Sequence, residues 1–223
     1  MADGSPSGFS WFVELPERGG ASFGATFARA RLTVSSPDGE ETWSVPVAVG
    51  RRLKAASADG PSFVSSRAEL AYQVKSLSVA CGSSRVERLI NKRDYSSQEL
   101  HDKLRRDGYS AEVCDELVDR ARETRLVDDE RYASVFIRSK VYAGWGRMKI
   151  ERELSRRGIR AEDVQGWPEE FFSEDDERER AHELASRRRL TGKNDFQKIV
   201  RFLCGKGYSM NIAIDAAKSV LGR

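Results

Sequence analysis

Residues 126–159 show the clearest pattern of hydrophobic and polar positions in the chain. Apolar residues recur there at steps of three and four, which predicts one buried helix face made of Tyr132, Ala133, Phe136, Ile137 and Val141. Asp128 and Asp129 precede this face, and either carboxylate can accept hydrogen bonds from the free N–H groups at a helix start. Gly144 and Gly146 are expected to end this helix, so that a second helix begins after them.

The second helix has near-copies on both sides of it in the sequence. Each copy spaces an apolar residue, a leucine and a glycine by four residues, as in Leu100-Leu104-Gly108, Ile150-Leu154-Gly158 and Ile199-Leu203-Gly207. A period of about 50 residues indicates stacked helical units. If each glycine is left-handed, the residue that follows it folds back onto the leucine. This predicts three contacts, namely Tyr109 on Leu104, Ile159 on Leu154 and Tyr208 on Leu203.

The N-terminal part of the chain has a different composition, because five of the six prolines precede residue 62. Residues 31–35 and 42–49 have strand patterns, and the Pro-Asp-Gly sequence at 37–39 predicts a hairpin turn between them. Pro46 cannot donate to a neighbouring strand, so we expect an edge strand or a bulge there. The Gly-, Ser- and Pro-rich residues 1–22 are expected to be flexible at the very start.

The expected fold is therefore mainly α, with three tandem three-helix repeats after a small N-terminal region that contains a β-hairpin. The expected divisions are residues 1–80, which include the start of the helical part, and three repeats at 81–127, 128–172 and 173–223. The last helix of the middle repeat is expected to be short, because Gly166, Trp167 and Pro168 interrupt it.

Composition limits the function classes. Charged residues make up 33% of the chain, above the roughly 25% of ordinary globular proteins, which favours a thin core with much surface. The net charge is only +3, so an acidic partner must be met by a local patch. An odd number of scattered cysteines, without a secretory leader or a long apolar run, predicts a cytoplasmic protein with no membrane partner.

The sequence offers no set of residues suited to catalysis or to a cofactor. It contains no phosphate-binding glycine loop, and its two histidines, His101 and His182, have neither metal-like spacing nor a neighbouring nucleophile. The three acids at 128–130 could be imagined as a metal cluster, but a helix start explains them better. We therefore predict a protein that is not an enzyme and that holds no metal or cofactor.

Basic residues on the second helix are the stronger functional signal. Lys149, Arg152, Arg156 and Arg160 follow steps of three and four, which places them on one face. The full set of candidate partner- or DNA-binding residues is Arg147, Lys149, Arg152, Arg156, Arg157, Arg160, Lys193, Lys198 and Arg201. Such a face can be merely solvated, or it can bind a polyanion. Three-helix units with a basic helix are also found in DNA-reading modules, so a helical DNA-binding transcriptional regulator is the alternative.

Three segments resemble the RecX family. The run Leu-Val-Asp-Asp-Glu-Arg-Tyr-Ala at 126–133 is similar to the family signature, and Gly-Trp-Gly at 144–146 with its following helix resembles the next family segment. The segment 94–109 resembles the first family repeat. The resemblance covers roughly 85–221, whereas residues 1–80 match nothing strongly.

The resemblance implies a bacterial, non-enzymatic regulator of RecA recombinase that acts in DNA repair, recombination and the SOS response. Family members are elongated, curved helical-repeat proteins that bind along the groove of the RecA–DNA filament. They lower its strand-exchange, ATPase and coprotease activities, and many also touch DNA. The implied partners are RecA and the RecA–ssDNA filament, with weak non-specific DNA binding and a monomeric state.

Overall fold

The computed structural model describes residues 9–16, 28–57 and 61–222 of the chain. In these residues the chain forms four β-strands and nine α-helices, which confirms the mainly α fold with a small N-terminal sheet. The strands are β1 (Phe9–Glu14), β2 (Ala30–Ser36), β3 (Gly39–Val45) and β4 (Ser62–Val64). The helices are α1 (Val47–Ala56), α2 (Arg67–Ile90), α3 (Ser97–Asp107), α4 (Ala111–Glu123), α5 (Asp129–Tyr142), α6 (Arg147–Ser155), α7 (Glu174–Ser186), α8 (Asp195–Lys206) and α9 (Met210–Val220).

The chain divides into two compact units. The N-terminal unit consists of Met1–Asp94 and Glu99–Val127, and the C-terminal unit consists of Tyr95–Gln98 and Asp128–Arg223. The four-part division at residues 80, 127 and 172 stays a prediction, although α2 runs continuously across residue 80. Among the described residues, no helix combines the length and apolarity that a bilayer crossing requires.

The N-terminal unit is built on an antiparallel sheet with strand order β3-β2-β1-β4. The predicted hairpin is confirmed, since β2 pairs with β3 through Ser36 opposite Gly39, and Gly39 has a φ of +136°. Leu32 and Val34 are almost completely buried on the inner side of the sheet. Strand β1 was not predicted, and it lies between β2 and β4. The expected flexibility at the very start of the chain concerns residues outside the described ranges.

Pro46 separates a strand from a helix. It does not form a β-bulge, which was one of the two expectations for it. Strand β3 ends at Val45, and Pro46 is the N-cap residue of α1. A proline suits this place because the first N–H groups of a helix have no partner within the helix. The apolar residues Val47 and Val49 therefore belong to α1 instead of extending β3. The expectation that this strand lies at an edge of the sheet is confirmed.

The three-helix pattern recurs after the sheet. Helices α2, α3 and α4 form the first set, and α7, α8 and α9 form the last. In the middle set only a 3₁₀ helix, Ala161–Asp163, follows α5 and α6, as the interruption at 166–168 predicts. The predicted face of α5 is confirmed, because Ala133 and Ile137 are fully buried with Ile150 and Leu154 of α6. Tyr132, Phe136 and Val141 pack at the border of this core.

Each central helix ends as the glycine spacing predicts. The φ angles of Gly108, Gly158 and Gly207 are +100°, +73° and +98°. The N–H of the next residue donates to the leucine carbonyl in every case, over distances of 3.2 Å (Tyr109 to Leu104), 3.0 Å (Ile159 to Leu154) and 3.1 Å (Tyr208 to Leu203). This bond defines the Schellman motif, which brings the residue after the glycine back over the helix. All six of these apolar and aromatic residues are buried.

Within the C-terminal unit, the end of α8 meets the start of α6 through backbone atoms. The N–H of Gly146 donates to the carbonyl of Lys206 over 2.9 Å, and the N–H of Met148 donates to the carbonyl of Gly207 over 3.1 Å. A Cβ atom on Gly146 would lie 2.5 Å from the carbonyl carbon of Gly207, and one on Gly207 would lie 2.6 Å from the backbone nitrogen of Lys149. Both glycines are thus needed for the two helix ends to approach each other.

Three alanine substitutions separate backbone strain from close approach. Gly192→Ala tests a positive φ alone, because Gly192 has a φ of +77° and open space around it. We expect it to lower the free energy of unfolding by about 1 kcal/mol. Gly146→Ala tests the close approach alone and should cost about 1–3 kcal/mol, whereas Gly207→Ala combines both effects and should cost about 3 kcal/mol or more. The measurement is urea unfolding followed by circular dichroism. Equal destabilisation by Gly192→Ala and Gly207→Ala would contradict the role given to the helix contact.

Candidate binding surface

Helix α6 and the turn that follows it carry six of the nine predicted basic residues, and the position of the helix is fixed at its start. Its N-cap residue, Gly146, has no side chain to satisfy the first N–H groups. Other parts of the C-terminal unit replace that cap. Besides the carbonyls at the end of α8, a carboxylate oxygen of Glu177 accepts from the N–H of Arg147 over 3.2 Å. The acidic side chain also suits the positive end of the helix dipole. The basic face of α6 is therefore held by α7 and α8.

The predicted stripe exists, but local acids neutralise part of it. Arg156 lies 2.6 Å from Glu153, and Arg160 forms a two-pronged pair with Asp163 at 2.7 and 2.8 Å. Arg147, beside the stripe, lies 2.9 Å from Glu151. These pairs are exposed and join residues three or four positions apart, so each contributes little to stability. By contrast, Arg152 is exposed and forms no ion pair with any residue that the structure describes.

Arg157 differs from the other predicted residues because it is largely buried. Its guanidinium donates to the carboxylate of Glu153 over 2.9 Å and to the hydroxyl of Tyr132 over 3.2 Å, and it lies 4.6 Å from the centre of the Phe136 ring. The hydrogen bond from Arg157 holds the pKa of Glu153 below its ordinary value, with the nearby charge of Arg156 acting in the same direction. Arg157 therefore ties the end of α6 to α5.

A group of aromatic rings and cations adjoins the stripe, and we call it the aromatic–cation cluster. Its members are Tyr132, Phe136, Lys140, Trp145, Lys149 and Arg157. The rings form a row, since Tyr132 stacks on Phe136 at 6.2 Å and Phe136 meets Trp145 edge-on at 6.4 Å between ring centres. Of these six residues, the sequence identifies only Lys149 and Arg157 as binding candidates.

Both lysines of the aromatic–cation cluster lie over the same indole ring. The ammonium nitrogen of Lys149 is 4.0 Å from the centre of the Trp145 ring, and that of Lys140 is 5.2 Å from it. Lys140 is also 5.2 Å from the ring centre of Phe136. The spacing of Phe136 and Lys140, four residues apart on a helix, is the one sequence signal that could have placed Lys140 here.

The remaining predicted residues belong to the last repeat. The ammonium group of Lys198 donates to the Thr191 hydroxyl over 2.6 Å and lies 3.6 Å from Asp195. The carboxylate of Asp195 also accepts from the N–H groups of Thr191 and Gly192, which lowers its pKa. Lys193 and Arg201 are exposed and form no ion pair among the described residues.

The nine candidates are thus divided between two places in the C-terminal unit. Six of them lie on α6 or in the turn that follows it, whereas Lys193, Lys198 and Arg201 lie on α8 or just before it. The nine residues therefore do not lie on a single helix.

The acids proposed for a helix start serve that purpose. Asp128 is the N-cap residue of α5, and its carboxylate accepts from the N–H of Arg131 over 2.9 Å. Asp129 accepts from the N–H of Ser97 over 2.7 Å. His182 is exposed, and the Nε2 atom of His101 lies 3.3 Å from a carboxylate oxygen of Asp115. In the part of the chain that the structure describes, no group of three or more such side chains is arranged to hold a metal ion.

Fold and surface together define a class: a helical-repeat protein that presents cations, some paired and some unpaired, on a central helix. Comparison with known proteins gives this class a family. The family model described as "RecX, first three-helix domain" matches residues 84–120, and the one described as "RecX, second three-helix domain" matches residues 128–166.

Two relatives extend the match beyond these domains. The chain is 33% identical over 128 residues to the regulatory protein RecX of Pseudomonas putida, covering 56% of this chain and 81% of the relative. It is 33% identical over 138 residues to the regulatory protein RecX of a Mycobacterium species, strain JLS, covering 57% and 75% of the two chains. The chain belongs to the RecX family of regulatory proteins, as the motifs at 94–109 and 126–159 predict.

Solved structures agree in fold. The crystal structure of RecX from Lactobacillus salivarius superimposes with a TM-score of 0.54 at 21% identity, covering 66% of this chain and 98% of that one. Another crystal structure, titled as regulatory protein RecX, superimposes with a TM-score of 0.57 at 18% identity and covers 97% and 100% of the two chains. At these identities the likeness concerns the fold alone.

The Glu153–Arg157 pair predicts a pH-dependent contribution to stability. Because folding lowers the pKa of Glu153, the stabilisation is complete above the ordinary glutamate value of 4.5 and is lost as the pH falls through the lower folded value. Glu153→Gln should therefore reduce the free energy of unfolding by about 1 kcal/mol at pH 7, and the difference should vanish in acid. Urea unfolding from pH 7 to pH 3 measures it. Glu169→Gln, at an exposed residue with no ion pair among the described residues, is the control. Destabilisation by Glu153→Gln that stays constant with pH would contradict this role of the pair.

Proposed function

We propose that this chain is a non-enzymatic regulator of RecA recombinase that binds along the RecA–DNA filament and lowers its activity. Membership of the RecX family carries this proposal, because the matched relatives are named as regulatory proteins. The three-helix domains and the exposed cations of α6 support it physically. A ligand that lies along a polymer needs an extended, charge-complementary surface more than a deep pocket.

Within this proposal the protein acts as a cytoplasmic monomer in DNA repair, recombination and the SOS response. The unpaired Arg152 and the exposed Arg156 meet acidic groups of the filament, whether on the recombinase or on DNA phosphates. Because the chain carries a net charge of only +3, long-range attraction is weak and the local arrangement of cations sets the preference for the partner.

ATP hydrolysis by a preformed RecA filament tests the proposed function. Addition of this chain below the molar amount of RecA should lower the rate of hydrolysis. The double variant Arg152→Glu with Arg156→Glu should require about tenfold more protein for the same inhibition, because two attractive charges become repulsive. The matched control is Lys92→Glu with Lys218→Glu, which changes the net charge equally at exposed lysines elsewhere. An unchanged rate with the parent chain would count against the whole proposal.

Binding to duplex DNA separates this function from the alternative. A filament regulator should bind random duplexes weakly and without sequence preference, and its affinity should fall steeply with salt. Tight binding to one duplex sequence over random DNA would instead support a transcriptional regulator.

A further inference from the structure

A cleft in the N-terminal unit lies where α1, α2 and the end of α3 meet, and we call it the arginine cleft. Its volume is about 260 Å³, just below the roughly 300–1,000 Å³ of sites for drug-sized ligands, so its size suits a small molecule. Helix α2 lines the cleft with Arg85 and Arg88, the end of α3 with Asp107 and Tyr109, and the start of α1 with residues 46–48. Neither arginine belongs to the nine candidates taken from the sequence.

The charges that line the arginine cleft do not cancel. The guanidinium of Arg85 lies 2.6 Å from the carboxylate of Asp107, which is the one acid among the described lining residues. Arg88 donates from Nε to the carbonyl of Ser84 over 3.1 Å, but it forms no ion pair with any residue that the structure describes. Burial raises the pKa of Tyr109 to about 12, so its hydroxyl stays neutral at physiological pH. The lining therefore carries one positive charge in excess.

Two further arginines lie near the arginine cleft. A Cβ atom on Gly108 would lie 3.3 Å from the Nε atom of Arg29. Arg52 lies close enough for its charge to act, together with that of Arg88, on the buried thiol of Cys81: burial raises the pKa of this thiol, and the two positive charges oppose that rise. Within the described chain, neither Arg29 nor Arg52 forms an ion pair. Neighbouring cations without acids repel one another, and a bound anion would relieve that repulsion.

The start of α1 adds backbone donors to these cations. The first N–H groups of a helix have no partner within the helix, and the N-cap residue Pro46 makes no side-chain hydrogen bond to them. The first turn of α1 also contains no acid. Such N–H groups lie at the positive end of the helix dipole and can donate to phosphate oxygens. Guanidinium groups match the same oxygens through paired, charge-assisted hydrogen bonds.

We propose that the arginine cleft binds a small phosphorylated molecule, namely a sugar phosphate or a nucleotide, with its phosphate on Arg88 and Arg85 and on the first N–H groups of α1. The carboxylate of Asp107 favours this class over inorganic phosphate, because it can accept a hydrogen bond from a ligand hydroxyl. The same carboxylate repels a chain of successive phosphates. This site goes beyond the proposed function, since its ligand is neither the recombinase nor its DNA.

Direct binding to the full chain, without RecA, tests the site. The probes are inorganic phosphate, ribose 5-phosphate and ADP, each titrated by calorimetry and added during thermal unfolding. A ligand that binds only the folded chain raises the unfolding midpoint. We expect ribose 5-phosphate and ADP to bind more tightly than inorganic phosphate, with affinity that falls as salt is added. If no probe releases heat or raises the midpoint, the proposal is overturned.

Substitution of Arg88 tests the main cation of the cleft. Arg88→Gln removes a charge that has no acid partner in the described chain, and it should weaken binding of ADP and of ribose 5-phosphate about tenfold or more. The matched control is Arg189→Gln, which removes the same charge from an exposed residue of the C-terminal unit and should leave both affinities unchanged. Equal effects of the two substitutions would assign the binding to general charge and would overturn the site.

Substitution of Ala48 separates loss of binding from loss of folding. Ala48→Glu places a carboxylate in the first turn of α1, where Ala48 lines the cleft. It should abolish phosphate binding without lowering the free energy of unfolding, because an acid suits the start of a helix. Ala48→Gln introduces a side chain of nearly the same size without the charge, so it should weaken binding less. Parent-like affinity of Ala48→Glu in a folded chain would overturn the proposal.

A polymer is the remaining source of phosphate groups. Competition of a single-stranded oligonucleotide against ADP tests it, with a 5′-phosphate in one sample and a 5′-hydroxyl in the other. We expect both oligonucleotides to compete more weakly than ribose 5-phosphate does. If both displace ADP better than ribose 5-phosphate does, and Arg88→Gln abolishes that displacement, the cleft holds internal phosphates of nucleic acid and the small-molecule site is overturned.

Discussion

The left-handed turn at the end of each central helix is the constraint on which the rest of the structure depends. At Gly108, Gly158 and Gly207 the backbone adopts a positive φ, which costs other residues roughly 1–2 kcal/mol. The turn satisfies backbone groups that the helix end would otherwise leave unpaired, and it sends the next residue back into the core. One local conformation therefore both ends the helix and closes its apolar layer.

In the C-terminal unit the same turn also supports a neighbouring helix. The carbonyls exposed near Gly207 receive N–H groups from the start of α6, so the end of one helix caps the start of another. Oppositely charged ends of two helix dipoles meet there, which is favourable. Because the contact is made by backbone atoms, it fixes the direction of α6 more firmly than side chains could. This backbone contact therefore determines where the basic face of α6 and the indole of Trp145 lie.

Much of this architecture could be predicted from the sequence, since it depends on local chemistry. The glycine period, the buried face of α5 and an acidic helix cap at Asp128 or Asp129 all follow from spacing and from a few side-chain types. Strand β1 could not be predicted in the same way. Its alternating residues Phe9, Trp11 and Val13 lie within a Gly-, Ser- and Pro-rich stretch, and they become a strand only by pairing with β2 and β4. Pairing between distant segments leaves little trace in a single sequence. The candidate surface was predictable to a similar extent. The α6 stripe follows from helical periodicity, but ion pairing decides which of its cations remain available, and that depends on rotamers. Arg152 and Arg160 have the same spacing signal, yet only Arg160 has an acid within reach in the described chain. The convergence of Lys140 and Lys149 depends on the turn between α5 and α6, which brings two helices together at Trp145. Hydrophobic patterning does not encode such a convergence.

The aromatic residues also explain how a thin core can coexist with so many charges. In the middle repeat the third helix is only the short 3₁₀ helix, and in the turn after it Phe172 is buried against Trp167, with ring centres 5.4 Å apart. Arg147 covers one of these rings from outside, over Trp167 at 5.8 Å, whereas Arg180, 5.5 Å from the ring centre of Phe172, has its Nε and one terminal guanidinium nitrogen buried. Long cationic side chains shield apolar surface with their stems while their charged ends stay near water. The high charge content is thus partly a covering for the core. A cation that forms no ion pair among the described residues, such as Arg152, is therefore a stronger binding candidate than a paired one.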